Sequence, residues 1–321
     1  MENNTSFPVN KCLFMPEDFY TLMNVYDQAF RLSTYAILAI GSVLSVLIVM
    51  VNGLFLSTMV KTPNLISPPN ILLCSLATAD GLTGLLSIPL CIGWVFDIRL
   101  LHSCAYTKTT LLFMFIIFGA SFFTIVGVCL ERYLALFYSL RYAAMVTLKR
   151  VLLALLLAWI FPSLFNSLMI IMGDLYALLA VSLVNLFVGN TIIMFTYFRV
   201  FRLVRHHRKQ IHAQQNQFCL VDSTARQRKH AITMGFVIGS MMCCYFPLCC
   251  FYAVLMIKGI HRGIAVPALY CMMAALSSSL WNPLIYCWRN RAIKMAVLEQ
   301  LARLKGCFTG LQTQQVQALS T

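Results

Sequence analysis

The chain has 321 residues, of which 60% are hydrophobic and only 11% charged, and its formal net charge is +14. Soluble globular domains carry about a quarter of their residues as charges, so this balance excludes a water-soluble fold. The basic excess gathers on one side of the apolar segments, which reads as a topological signal and a contact for anionic lipid rather than a nucleic-acid interface.

Residues 1–33 carry scattered charge and no apolar run. No cleavable leader is expected there, and the first span would serve as an uncleaved anchor. The stretch Asn3-Asn4-Thr5-Ser6 holds two overlapping glycosylation acceptors, at Asn3 and Asn4. Apolar runs long enough to cross about 30 Å as helix lie at approximately 34–60, 70–96, 109–130, 151–173, 175–198, 231–257 and 264–288. Seven crossings put the two termini on opposite sides.

Of the 24 Lys and Arg, only Lys11, Arg31, Arg99, Lys108, Lys258 and Arg262 fall on the side of the N-tail. The other 18 lie opposite. By the positive-inside rule the N-terminus is expected outside and the C-terminus in the cytoplasm. The expected organisation is an extracellular N-tail (1–33), an all-α bundle of seven membrane helices (34–288), and a cytoplasmic amphipathic helix with a tail (289–321).

Span two contains Asp80, alone among uncharged neighbours from Asn70 to Phe96. A carboxylate at mid-membrane costs roughly 2.5–3.5 kcal/mol on insertion scales, so one in this place is expected to face a polar cavity and to mark a functional site. Span three ends in Glu131-Arg132-Tyr133, a charged pair at the edge of a helix otherwise free of charge for more than twenty residues. Such a pair can hold the Arg in one position and release it, which suits a two-state element, although the motif taken alone reads better as a topogenic Arg snorkelling to the interface.

The connection from Arg199 to His230 holds eight Lys and Arg and a Gln-rich middle. Its ends are expected to prolong spans five and six as basic helices, because helix formers continue without Pro or Gly; its centre reads equally well as a polybasic loop. Pro247, in Cys244-Tyr245-Phe246-Pro247, and Pro283, in Asn282-Pro283-Leu284-Ile285-Tyr286, each remove a backbone hydrogen bond and kink their spans. Beyond span seven, Ile293, Val297, Leu301 and Leu304 recur at helical spacing among Arg291, Lys294, Arg303 and Lys305, as in a helix lying on the inner surface. Cys307 closes it, either as an acylation site or as a plain thiol.

Taken together, these motifs resemble the rhodopsin-like (class A) G protein-coupled receptor family, over all seven spans and the surface helix. The carriers are Asn52, Leu76-Ala77-Thr78-Ala79-Asp80, Glu131-Arg132-Tyr133, Trp159, Tyr197, Cys244-Tyr245-Phe246-Pro247 and Asn282-Pro283-Leu284-Ile285-Tyr286. The resemblance implies a receptor without catalytic activity that binds a ligand near the outer half of the bundle and opens a cytoplasmic groove to a heterotrimeric G protein. It implies that Arg132 inserts toward the partner's C-terminal helix while Tyr197 and Tyr286 steady the open form. It also implies that Asn52, Ser121, Ser278, Ser279 and Asn282 surround Asp80 as the family's sodium pocket, an all-oxygen set suited to a hard cation. No required cofactor is expected, only that allosteric sodium ion.

Several positions depart from the family pattern. Thr107 stands where span three usually carries a Cys bridged to the second extracellular loop, and that loop, around Gly173-Asp174-Leu175, has no Cys. Cys104, one turn earlier, therefore lacks that partner, and Cys12 is the substitute. Gly189 replaces the usual span-five Pro. Gln227 replaces a Glu that latches the span-three Arg in many members, which shifts the population toward the active form and leads to an expectation of basal signalling.

The resemblance points Met114, Phe115, Phe118, Val181, Asn185, Tyr245, Leu248, Cys249, Tyr252, Met272 and Leu276 into the ligand cavity. With no charge and few polar groups, that set suits a small, mostly apolar ligand. Amine receptors use an Asp where Met114 stands, and opsins a Lys where Leu276 stands. The short second loop resembles the branch of melanocortin, lysophospholipid, cannabinoid and adenosine receptors, whereas Leu136-Phe137-Tyr138-Ser139-Leu140-Arg141-Tyr142 is similar to odorant receptors. The competing class is an ion-coupled transporter or channel using Asp80; against it, the spans show no inverted repeat.

Overall fold

The computed structural model describes residues 28–96, 103–138, 140–173, 175–213, 243–259 and 265–303, with a few isolated positions besides. Within lipid a backbone must satisfy its own hydrogen bonds, so an apolar chain of this kind crosses as helices. The first three spans are α1 (Gln28–Lys61), then α2 (Pro68–Leu82) continued by α3 (Ile88–Phe96), then α4 (Cys104–Phe137). A short α5 (Tyr142–Met145) leads to spans four and five, α6 (Leu148–Met172) and α7 (Leu175–Ala213). Span six is α8 (Cys243–Lys258) among the described residues, and span seven is α9 (Ala265–Arg289). Helix α10 covers 291–303. Six of the seven spans are long and apolar enough to cross a membrane as described; α8 is shorter.

Local chemistry sets the ends. Pro68 and Pro69 open α2, where a missing N–H costs nothing. Gly173 ends α6 with φ 79°, a left-handed cap that lets α7 begin two residues later. The Asn290 side chain accepts from the backbone N–H groups of Ala292 (3.1 Å) and Ile293 (3.4 Å), which turns the chain out of α9 and starts α10. Ile293 is then fully buried, as the amphipathic pattern requires. Span five continues as helix to Ala213, so its basic extension is present, whereas the start of span six lies outside the described residues.

Span three is the hub, packed on spans two, four and five, while span one packs on spans two and seven. Two glycines permit close approaches of span three to spans four and five. A Cβ on Gly119 would sit 2.5 Å from Pro162 of span four, and one on Gly189 would sit 2.3 Å from the Phe122 ring. The span-five Gly is therefore a socket for a span-three ring. Spans two's halves α2 and α3 are joined by a single π-helical turn, Thr83–Ser87, and Ser45 of span one donates to the Gly84 carbonyl at 2.6 Å inside it. Such turns concentrate at functional positions. The outward faces of spans four and five are apolar, with Leu153, Leu157, Phe161, Leu164, Phe187 and Phe195 all exposed. That surface belongs against lipid, and the molecule is a multi-pass membrane protein.

Candidate functional site: a polar core and a charged clasp

Asp80 is fully buried near the C-terminal end of α2, midway along span two. Its Oδ1 accepts from Ser121 of span three (3.1 Å) and Ser279 of span seven (2.9 Å), and its Oδ2 accepts from Asn282 Nδ2 (2.8 Å). Three spans thus converge on one carboxylate, and charge-assisted bonds of this kind contribute about 1.5–3 kcal/mol each. Asn52 braces the same place from span one: its Nδ2 donates to Ile48 O (2.9 Å) and Ser279 O (3.1 Å). Ser278 does not reach the carboxylate. It donates to Ala275 O (2.7 Å) and, with that proton committed, accepts from the Tyr245 hydroxyl of span six (2.8 Å).

Two buried amide oxygens in this core, Asn52 Oδ1 and Asn282 Oδ1, have no donor among the described residues. Unpartnered acceptors beside a buried carboxylate form a hard, all-oxygen environment of the kind a small cation takes. The residues present therefore fit sodium. Among the described residues no group of three or more His, Cys, Asp and Glu side chains gathers to bind a softer metal.

At the other end of span three, Arg132 Nε lies 3.0 Å from Glu131 Oε2, with Glu131 4% exposed and Arg132 25% exposed. The second Glu131 oxygen is taken by Tyr142 of α5, whose hydroxyl donates to Oε1 at 2.5 Å. Burial, then that hydrogen bond, push the Tyr142 hydroxyl well above its ordinary pKa, so it stays a donor throughout the physiological range. Glu131 is thus clasped from two sides. Neither spacing nor composition marks Tyr142 as a partner, because the turn that brings it back spans eleven residues of sequence.

An aromatic run leads from this span to the next. Phe118 meets Tyr245 edge to face (5.1 Å), and Phe122 meets both Tyr245 (6.5 Å) and Phe123 (6.0 Å). Phe123 in turn meets the exposed Phe161 of span four (5.8 Å). Rings on span three therefore touch Tyr245, which is bonded to span seven through Ser278.

The residues expected at the ligand cavity divide. Phe115, Phe118 and Asn185 line a cleft of about 40 Å³ between spans three, four and five, with Phe122, Phe161 and Asn166. Tyr245, Leu248 and Tyr252 are buried in the main apolar core, and Met114 and Cys249 pack against it. Leu276 belongs instead to a second cluster with Ile37, Ile48, Ile88 and Met273, against which Met272 packs. Val181 is half-buried. Of the switch residues, Tyr133 stacks on Phe137 (4.4 Å) and Tyr197 on Phe201 (6.2 Å), Pro283 lies inside α9, Pro247 is half-buried in α8, and the buried Tyr286 hydroxyl has no hydrogen-bond partner among the described residues. Trp159 donates to Ser75 Oγ (3.0 Å), tying span four to span two. Asn3, Asn4, Cys12, Gln227 and Cys307 lie outside the described residues.

The chain is similar to known proteins over most of its length. The family model described as "7 transmembrane receptor (rhodopsin family)" matches residues 51–178 and 174–286. G-protein coupled receptor 6 of Homo sapiens is 31% identical over 273 residues, 80% of this chain and 72% of that protein. G-protein coupled receptor 12 of Mus musculus is 26% identical over 77% of this chain and 75% of its own length, and the Histamine H2 receptor of Canis lupus familiaris 24% over 74% and 70%. The chain belongs to the rhodopsin family of seven-transmembrane receptors, the G protein-coupled receptors, and is not an enzyme.

Proposed function

We propose that this receptor sits in the plasma membrane with its N-terminus outside and couples a small, largely apolar extracellular ligand to a heterotrimeric G protein. The observation that carries the reading is the pairing of two arrangements on one helix. Span three presents Ser121 to the Asp80 core, and eleven residues later it holds Arg132 in a clasp that can open. Ligand contacts on the aromatic run near Phe118 and Tyr245 would shift the population of arrangements available to Arg132. The Glu131–Arg132 pair is partly exposed, so it is held by little more than the few tenths to about 1 kcal/mol usual for such pairs. It is easily released.

In this reading the Asp80 core binds sodium through Asp80, Ser121, Ser279, Asn52 and Asn282, with Ser278 in the surrounding shell. A sodium ion held by these residues would compensate the buried Asp80 charge and would favour the closed bundle. No other cofactor is proposed. One relative is named for histamine, an amine; here Met114 occupies the place where amine receptors carry their Asp, so the proposed ligand is uncharged. The Glu that would latch Arg132 from span six is Gln227, and the receptor is proposed to signal without ligand.

A second-messenger assay in transfected cells tests the reading, with amines, nucleosides, lipids and volatile odorants applied in turn. A ligand-independent change on expression, together with a response to an uncharged compound, is the expected result. Ion flux in proteoliposomes without any second-messenger response would instead favour a transporter.

A further inference from the structure

The outer end of span three is covalently bonded in a way the family pattern does not supply. Cys104 is in a disulfide, yet Thr107 occupies the usual bridging position and is fully buried, and the turn between α6 and α7 offers no thiol. The chain has thirteen cysteines. Nine of the described ones are free, including Cys91 and Cys271, which lie toward the same end of the bundle as Cys104. The cysteines left are Cys12, Cys219 and Cys307.

Helix geometry separates these three. Span three, Cys104–Phe137, is 34 residues long, which at 1.5 Å per residue separates its ends by roughly 50 Å. Span five runs back toward the Phe137 end, where Arg199 lies over the Phe137 ring at 5.8 Å, and it continues to Ala213. Cys219 follows Ala213 by six residues, a reach of at most about 22 Å. Cys307 follows α10, which packs through Ile293 on the core that holds Phe55 and Tyr286 at the same end. Neither can span the bundle to Cys104.

We propose that Cys104 is bonded to Cys12, so that the N-tail is tied to the top of span three sixteen residues before α1 begins. The inference rests on the proposed orientation, since the bond needs an oxidising compartment on the Cys104 side. The two thiols lose two protons and two electrons to a disulfide-bearing oxidant of the secretory pathway, which leaves as its dithiol. The bridge takes the place of the missing bond to the second loop. It fastens span three to the segment preceding span one.

The full-length receptor, solubilised with free thiols blocked and without reductant, can be digested and mapped by mass spectrometry. The expected result is one linked peptide pair holding Cys12 and Cys104, lost on reduction. Cys12→Ser, Cys104→Ser and the double variant should then share one lowered thermal stability, because each removes the same bond. An alkylated, unlinked Cys104, or Cys104 linked to a second copy, overturns the bond while leaving the receptor reading intact. Linkage to Cys219 or Cys307 overturns the bond and the seven-span topology together.

Discussion

The Asp80 core and the Glu131 clasp both centre on a buried carboxylate, yet they differ in what they join. Asp80 receives donors from spans three and seven while standing on span two, and Asn52 of span one backs the same cluster. Glu131 is held by its neighbour Arg132 and by Tyr142 from the adjoining turn. The first arrangement couples helices far apart in sequence. The second is local, partly wet and independent of the rest of the bundle, so it can change without unpacking anything. A receptor needs both properties: a core that registers how its helices are set, and an edge that moves when they shift.

The largest effect should come from the core. Asp80→Asn removes the charge and turns an amide N–H₂ or oxygen toward Asn282 Nδ2, so one of the three bonds to the carboxylate changes character. Any sodium dependence of agonist binding should vanish entirely, while Ser121 and Ser279 still find an acceptor and the protein still folds. Persistence of a sodium effect in radioligand competition would show that the cation sits elsewhere.

Next comes the link between the two regions. Gly189→Ala places a methyl 2.3 Å from Phe122, so the ring must move, and with it the contacts to Tyr245. A cost of about 1–3 kcal/mol is usual for overpacking, which should appear as a lower melting temperature and an altered basal signal. An unchanged melting curve would mean that the socket is looser than its geometry indicates.

The smallest effect belongs to the clasp. Tyr142→Phe deletes one hydrogen bond to a carboxylate and leaves the Arg132 pair in place. With Tyr142 half-buried, a discounted loss of about 1 kcal/mol corresponds to a rise of roughly fivefold in the fraction with Arg132 released. Basal second-messenger output, normalised to surface expression, measures it. No change would assign the clasp to Arg132 alone.

How much of this was readable in the sequence depends on range. Hydropathy located the spans because lipid demands long apolar helices, and their boundaries differ from the described helices by a few residues where polar ends continue the helix, as at Cys104–Phe137. Asp80 was legible because an acid in lipid needs company, whereas its partners Ser121, Ser279 and Asn282 followed only from the resemblance to the receptor family. Ser278 illustrates the limit: its spacing on span seven is as good as that of Ser279, but its hydroxyl turns to Tyr245. Tyr142, the Gly189 socket and the π-helical turn at Thr83–Ser87 left no local signature. Each exists only because two remote segments meet, which periodicity does not encode.

The central claim is that span three carries a releasable Arg132 whose position governs a G protein. Guanine-nucleotide exchange on purified heterotrimer, driven by the receptor in nanodiscs, tests it directly with wild type beside Arg132→Ala. The account predicts exchange above the receptor-free rate for wild type and none above it for the variant, with ligand binding and melting temperature preserved. Exchange retained at the wild-type rate by a folded Arg132→Ala receptor would contradict it.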